Sequence, residues 1–377
     1  MREAGYMDTA HKKGLEFFDC NVVSHFEAAS SQSKTRRWRS FMTDDFSPFE
    51  FSWSWESSPK IRYSFEPVGT EAGTLLDCCN RKGPLACAAD LQRTVPSSDW
   101  RMFHFFANVF YDSEADIRHR SNLERETSSP SSIFFALELN LEDPIIKAYL
   151  IPVVAEQTQQ SRLSVLSKTL GQYSSELFAY PMLEKYIIQR QSHDPMQIIG
   201  LAVDCIDPAV ARLRIYARSQ DTSFKTVQSI LTLDGRIPTW TNEMIADLWN
   251  LWKLVLNLPQ EHSMDEPLGQ VSHETSGMLY NFDIQPHKTL PETKVYIPVK
   301  HYGKNDRSIA EGLVTFLREN EQLEQTKKFM GAIERLCSYR CLEDGRGMQT
   351  YISCGVKSGR LAITSYISPE LNHAGRR

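Results

Sequence analysis

Pro48-Phe49-Glu50-Phe51-Ser52-Trp53-Ser54-Trp55, closely followed by Ile61-Arg62-Tyr63-Ser64-Phe65-Glu66-Pro67, is the stretch on which the fold turns. Strict apolar–polar alternation over roughly four to eight residues marks a half-buried strand. In the first stretch Phe49, Phe51, Trp53 and Trp55 point one way, and Glu50, Ser52, Ser54 and Glu56 the other. In the second, Ile61, Tyr63 and Phe65 oppose Lys60, Arg62, Ser64 and Glu66. The pair predicts a hairpin turning at Glu56-Ser57-Ser58-Pro59. An ordinary two-layer sheet would leave its polar face to water. A polar face with an acid and an arginine on adjacent strands can instead line an enclosed chamber.

The hairpin recurs along the chain. Ser132–Asn140 pairs with Ile145–Val154, Ile199–Ile206 with Arg212–Arg218, Met278–Gln285 with Lys294–Lys300, and Met348–Lys357 with Leu361–Ser368. Proline, glycine or aspartate stands in each connection, as hairpin loops require. Helical patterns fill the intervals: residues 8–28 with Leu15, Phe17, Phe18, Val22, Val23 and Phe26 apolar, Ser98–Asp112, two helices in Ser161–Arg190, Thr241–Asn257, and two in Arg307–Cys337. Gly69–Ser98 reads as loop-rich with short helical stretches, Lys34–Arg39 as a basic run on a solvated face or at a helix end, and residues 113–132 as an exposed loop or lid.

A helix-strand-strand-helix unit repeated five times predicts an α+β fold in one domain spanning residues 1–377. Ten antiparallel strands joined as hairpins can close into a barrel, which removes exposed edges. Such a barrel is wider than the eight-stranded kind that side chains fill, so it encloses a lumen. Helices outside it explain the inverted polarity, with apolar residues facing out and polar residues facing the chamber.

The inward columns carry the chemistry. They hold Arg62, then Lys147 and Tyr149, then Arg212, Arg214 and Tyr216, then Lys294 and Tyr296, with Tyr351 and Tyr366 from the last hairpin. Five cations and five tyrosines thus converge, with Glu50 as the single expected carboxylate. Clustered buried cations repel one another unless an anion binds, and Arg with Lys suits a phosphate or diphosphate. Tyrosine faces stabilise a nearby cation. An anion cage beside a ring of aromatics describes a pocket that ionises an allylic diphosphate and shelters the carbocation.

Composition sets outer limits. The net charge of −5 gives no field that favours nucleic acid, and 41% hydrophobic residues fit a globular chain. No apolar run reaches the roughly 18 residues of a membrane helix, and no signal-peptide core opens the chain. The eight cysteines form no CxxC pair, so reduced thiols in a cytoplasmic protein are expected, although Cys337 and Cys341 would share one face of a helix. Asp44-Asp45 and Asn305-Asp306 lack the spacing of magnesium motifs, so no metal is expected.

From about residue 4 to residue 369 the chain resembles the fungal aromatic prenyltransferases of the dimethylallyltryptophan synthase type, with their ABBA barrel. The resemblance is carried by Thr43-Asp-Asp-Phe-Ser-Pro-Phe-Glu-Phe-Ser-Trp53, Arg62-Tyr-Ser-Phe-Glu-Pro67, Lys147-Ala-Tyr149, Arg212-Leu-Arg-Ile-Tyr216, Lys294-Val-Tyr-Ile-Pro-Val299 and Ser365-Tyr366. It implies metal-independent transfer of a prenyl group from its diphosphate to an electron-rich aromatic ring, with no cofactor. It also implies small-molecule partners only, no membrane, and compatibility with a homodimer. Glu50 matches the acid that holds and helps deprotonate the acceptor. Arg62, Lys147, Arg212, Arg214 and Lys294 match the diphosphate cage, and Tyr149, Tyr216, Tyr296, Tyr351 and Tyr366 the tyrosine shield.

Some positions depart from the family pattern. Arg214 stands where many members have lysine, Ser132–Asn140 lacks a lysine that some indole-prenylating members carry, and the start resembles the family's second helical segment. The Asp-Asp-Phe-Ser-Pro opening points toward a fused-ring phenolic polyketide as acceptor, otherwise an indole or tryptophan derivative. A barrel that binds a hydrophobic anion without chemistry, or a degenerate family member, is the other function class left open.

Overall fold

The computed structural model describes residues 1–26, 38–55, 60–74, 76–111, 131–138, 144–153, 155, 160–320 and 326–376. Ten strands form one closed barrel in the order β1-β10-β9-β8-β7-β6-β5-β4-β3-β2. They are β1 Phe49–Ser54, β2 Lys60–Phe65, β3 Ile133–Glu138, β4 Ile145–Leu150, β5 Gln197–Asp204, β6 Leu213–Ser219, β7 Met278–Ile284, β8 Glu292–Ile297, β9 Gln349–Lys357 and β10 Arg360–Ile367. Every pairing is antiparallel. The barrel closes where Phe51–Ser54 of β1 pairs with Thr364–Ile367 of β10.

Alternation explains why these residues close. Phe49, Trp53, Ile61, Tyr63, Phe65, Phe135, Ile215, Phe282, Val295 and Ile352 are buried on the outer face, in one hydrophobic cluster with the surrounding helices. Trp53 and Trp55 stack with centroids 5.2 Å apart, and both meet Phe329 edge-on. Trp55 lies just beyond β1 but keeps its outward side, with its Nε1 donating to Ser365 Oγ at 2.9 Å. Each such buried aromatic is worth roughly 2–3 kcal/mol of transfer free energy.

Helices sit between hairpins: α1 Asp8–Asn21, α2 Lys82–Thr94, α3 Arg101–Phe110, α4 Arg162–Tyr173, α5 Tyr180–Arg190, α6 Phe224–Thr232, α7 Asn242–Leu256, α8 Val299–Tyr302, α9 Asp306–Glu319 and α10 Phe329–Leu336. Their ends follow capping chemistry. Thr241 accepts from the Met244 N–H at the start of α7, and Asn257 closes it in the left-handed region (φ 54).

Some expectations shift. The helix expected over 8–28 ends at Asn21 and passes into a 3-10 turn, and Leu15 is 53% exposed rather than packed. The span 69–98, expected as loop-rich with short helical stretches, holds the longer helix α2, and α6 had no prediction at all. The strand expected over Lys294–Lys300 stops at Ile297 before Pro298, so Lys300 belongs to α8. Cys337 caps α10 while Cys341 lies exposed beyond it, so they share no helix face. The turns at 56–59 and 141–143, residues 34–37 of the basic run, and 113–130 of the expected lid fall outside the described residues. Among the described residues no helix is long and apolar enough to cross a membrane.

Glu66 serves the architecture. Fully buried after β2, it accepts hydrogen bonds from Trp38 Nε1, Ser40 Oγ and Asn80 Nδ2 at 3.1, 2.6 and 3.0 Å. Its position beside Pro67 at the strand end predicts that structural role.

Candidate active site

The inward parity of each strand places the site. Arg62 on β2 faces Glu138 of β3, Lys147 on β4 faces Asp204 of β5, and Arg214 on β6 faces Asp283 of β7. Lys294 on β8 lies between Asn281 and Gly355. Gly355 leaves room for the lysine, since an added Cβ would come within 3.2 Å of Lys294 Cε and press on its side chain. Arg212, one residue before β6, reaches the same group.

The lumen is not lined by unpaired cations against one acid, as the sequence led us to expect. Arg62 Nε donates to Glu138 Oε2 at 2.9 Å and Lys60 Nζ to Oε1 at 2.6 Å. Arg214 forks onto both oxygens of Asp204 at 2.9 and 3.0 Å, and Arg212 Nε adds a bond at 3.1 Å. Asp283 Oδ2 lies 3.4 Å from Arg212 and 3.5 Å from Arg214. The five expected cage cations and Lys60 thus share three carboxylates, Glu138, Asp204 and Asp283, leaving positive charge in formal excess. A low-dielectric cavity makes that arithmetic necessary, because uncompensated cations are costly there. Asp204 and Asp283 lie on the same parity as Ala202 and Asn281, so the alternation that revealed the cations also marked these acids.

Charge states follow the packing. Burial opposes ionisation of Glu138, yet Arg62 and Lys60 outweigh it and bring its carboxyl down to about 2. Burial also works against Asp204, and Arg214 overcomes it to hold that group below the usual carboxylate range. Burial, followed by repulsion from Arg214 and Arg62, drives Lys147 well below the ordinary ammonium range. Burial, then Arg62 and Arg214, pushes Lys294 down to about 8. Both lysines thus sit where an added anion would be welcome. The buried Nδ2 of Asn281, next to Lys294, has no hydrogen-bond partner among the described residues.

A belt of rings continues from this cluster. Phe134 stacks on Tyr149 with centroids 4.2 Å apart, Tyr149 meets Tyr216 at 5.8 Å, Tyr216 meets Tyr296 at 5.9 Å, and Tyr296 meets Tyr366 at 5.5 Å and Tyr351 at 6.3 Å. All five expected tyrosines are therefore in one contiguous set. One face of Tyr351 carries Lys300, whose Nζ is 5.5 Å from the ring centroid.

Glu50 stands apart from the cage. It pairs across β1–β2 with Ser64, two residues beyond Arg62 and so about 7 Å further along the strand. Its Oε1 accepts from Thr350 Oγ1 at 2.5 Å. Burial pushes its carboxyl up to about 7, opposed by the Thr350 bond and Lys300 and reinforced by Asp44. On strand position alone, Arg62 of β2 is the cation that would keep Glu50 ionised. Arg62 spends its charge on Glu138 instead, and the cation that acts on Glu50 is Lys300. Sequence reasoning missed Lys300 because it extended β8 through it. Asp44 and Asp306, considered at the sequence level for metal, have other partners: Asp44 pairs with Lys300, and Asp306 with Arg340 and the Gln349 N–H. Among the described residues no group of three or more metal-ligating side chains occurs.

The family model for tryptophan dimethylallyltransferase matches residues 1–332. This chain belongs to that family. It is 34% identical over 98% of its length to 4-O-dimethylallyl-L-tyrosine synthase of Claviceps purpurea, covering 85% of that protein. Xanthone prenyltransferase B of Emericella nidulans is 28% identical over 90% of this chain and 78% of its own. The solved structure of NotF in complex with brevianamide F and DMSPP superposes with a TM-score of 0.81 at 19% identity, over 98% of this chain and 90% of that one. The ten-stranded barrel is thus the ABBA barrel, and the chain is an aromatic prenyltransferase of the dimethylallyltryptophan synthase type. Of the two function classes open at the sequence level, membership of this family supports the enzyme.

Proposed function

We propose that the protein transfers a dimethylallyl or longer prenyl group from its diphosphate to a phenolic aromatic acceptor, without a divalent metal, with the cationic cluster and Glu50 serving opposite ends of one chamber. The observation that carries this is the separation itself. A cluster with a formal excess of positive charge borders a continuous belt of tyrosines, and Glu50, a buried acid outside that cluster's ion pairs, lies two residues further along the strand than Arg62.

The chemistry follows from the groups present. Arg62, Lys147, Arg212, Arg214 and Lys294, with the amide of Asn281, hold the diphosphate, and the cations stabilise charge as the allylic C–O bond breaks and the diphosphate keeps the electron pair. The tyrosine faces, including that of Tyr351 turned away from Lys300, attract the carbocation, each by up to roughly 2 kcal/mol when desolvated. The acceptor's ring carbon or phenol oxygen attacks, forming the new bond, and Glu50 takes the proton released. A base whose proton affinity lies near the working pH suits that step. The phenolic preference is supported by relatives named for tyrosine and for xanthone; fused-ring phenols remain the favoured class, with indoles second.

The test is turnover of dimethylallyl diphosphate with a panel of phenols and indoles, followed by mass spectrometry in excess chelator. Product forms with chelator present and is greatest with a phenol. Turnover lost to chelator and restored by magnesium would overturn the cage assignment, and product from indoles alone would overturn the acceptor.

A further inference from the structure

Beyond β8, Pro298 ends the ladder and the single-turn α8 carries Lys300 back toward the lumen. Its side chain is only 2% exposed. Nζ donates to Asp44 Oδ1 at 2.6 Å and lies over Tyr351, the residue next to Thr350, which in turn holds Glu50. A buried ammonium tied to one acid, and packed on the neighbour of the threonine that holds a second, is more than a surface ion pair, which would contribute little.

We propose that Lys300 and Asp44 are positioning residues that act on Glu50 through its protonation state, Lys300 favouring the carboxylate and Asp44 opposing it. This rests on Glu50 being the acceptor-facing acid. On β2 the residue opposite Glu50 is the neutral Ser64, and Arg62 is engaged with Glu138. From β9 come the Thr350 hydroxyl and the Tyr351 phenol. From α8 come Lys300 and His301, whose Nε2 lies 2.8 Å from Thr275 Oγ1. Asp44 comes from the segment before β1, with His273 Nε2 3.9 Å from it. Arg218 of β6 donates to the backbone oxygens of Thr275 and Ser276. Burial, then Lys300, lowers the proton affinity of His301 to about 4, so that ring is neutral at working pH. Lys300 and Asp44 are therefore the charged groups that bear on Glu50, consistent with the opposite signs of their effects on it.

The two charges make opposite predictions from one broken bond. Lys300→Met and Asp44→Asn sever the same ion pair, so a merely structural tether gives both variants the same defect. An electrostatic role moves the acid limb of the kcat/KM profile up in pH for Lys300→Met and down for Asp44→Asn. A displacement of one pH unit in either direction is about tenfold in the ionised fraction on the acid side. Lys300→Arg should restore the wild-type limb. Infrared difference titration of the Glu50 carboxyl, with Glu50→Gln as the blank, reads the same shifts without turnover and so separates failure here from failure of the proposed reaction. Displacements of the same sign in both variants, or an unmoved Glu50 band in folded Lys300→Met, would overturn the proposal.

Discussion

A carboxyl group taken out of water keeps its proton more tightly, and Glu50 is held at the balance between that tendency and its polar neighbours. Glu50→Gln keeps the shape and the contact with Thr350 but cannot accept the proton. Its transfer rate should fall by about 10²–10⁴-fold while prenyl-diphosphate binding is unchanged, and steady-state kinetics with a binding isotherm read the two separately. Wild-type turnover should decline as pH drops below about 7, where Glu50 becomes protonated. The sign for stability is the reverse. From 4.5 to about 7 the unfolded chain releases this proton while the folded chain retains it, so the wild type loses stability across that window. Glu50→Gln avoids the loss, and its advantage at pH 8 is on the order of 3 kcal/mol. Denaturant titrations of both proteins at pH 4.5 and pH 8 measure it, and an equal difference at the two pH values would deny that Glu50 is strained.

Among the elements, strand alternation made the hairpins and the shared inward side of the ten proposed cage and shield positions legible, because side-chain parity is a local property of a strand. Boundaries were less visible. Lys300 continues an alternating run, and only Pro298 signals that the ladder stops. The acids Asp204 and Asp283 were present on the inward parity, but their partners come from neighbouring strands, and charge pairing across a ladder is set by register rather than by sequence order. The α6 helix escaped notice because a nine-residue segment, Phe224–Thr232, shows too few turns for its periodicity to stand out. Two glycines make room for neighbouring elements. A Cβ at Gly312 of α9 would meet the Leu254 carbonyl oxygen of α7 at 2.2 Å, so only glycine allows that helix crossing. Gly355→Ala should crowd Lys294 and weaken prenyl-diphosphate binding by about 1–3 kcal/mol, with acceptor binding spared. Calorimetry with each substrate alone checks it, and equal losses for both would point to general damage of the barrel.

The whole molecule acts as a charge-separated vessel. Its helical coat supplies the apolar burial that lets the inner face be polar, and the closed ladder holds cations and acids in fixed opposition. Lys294, brought down to about 8, is partly neutral in mildly alkaline solution, and burial also makes Lys147 hold its proton less firmly than an ordinary lysine. A bound diphosphate favours their charged forms, so binding near pH 8.5 should take up protons. The observed enthalpy should then change with the ionisation heat of the buffer, and Lys294→Met should reduce the uptake. Binding of equal enthalpy in all buffers would place the diphosphate away from both lysines.

The central claim is that one chamber has a diphosphate end and an acceptor end, divided by the tyrosine belt. A crystal structure with a thio analogue of dimethylallyl diphosphate tests it most directly. The diphosphate oxygens should lie within hydrogen-bond reach of Arg62, Lys147, Arg214 and Lys294, the prenyl chain should lie along Tyr216, Tyr296 and Tyr366, and Glu50 should make no contact with the phosphates. A diphosphate seated beside Glu50 and Lys300, with the prenyl chain directed toward Arg62 and Arg214, would contradict it.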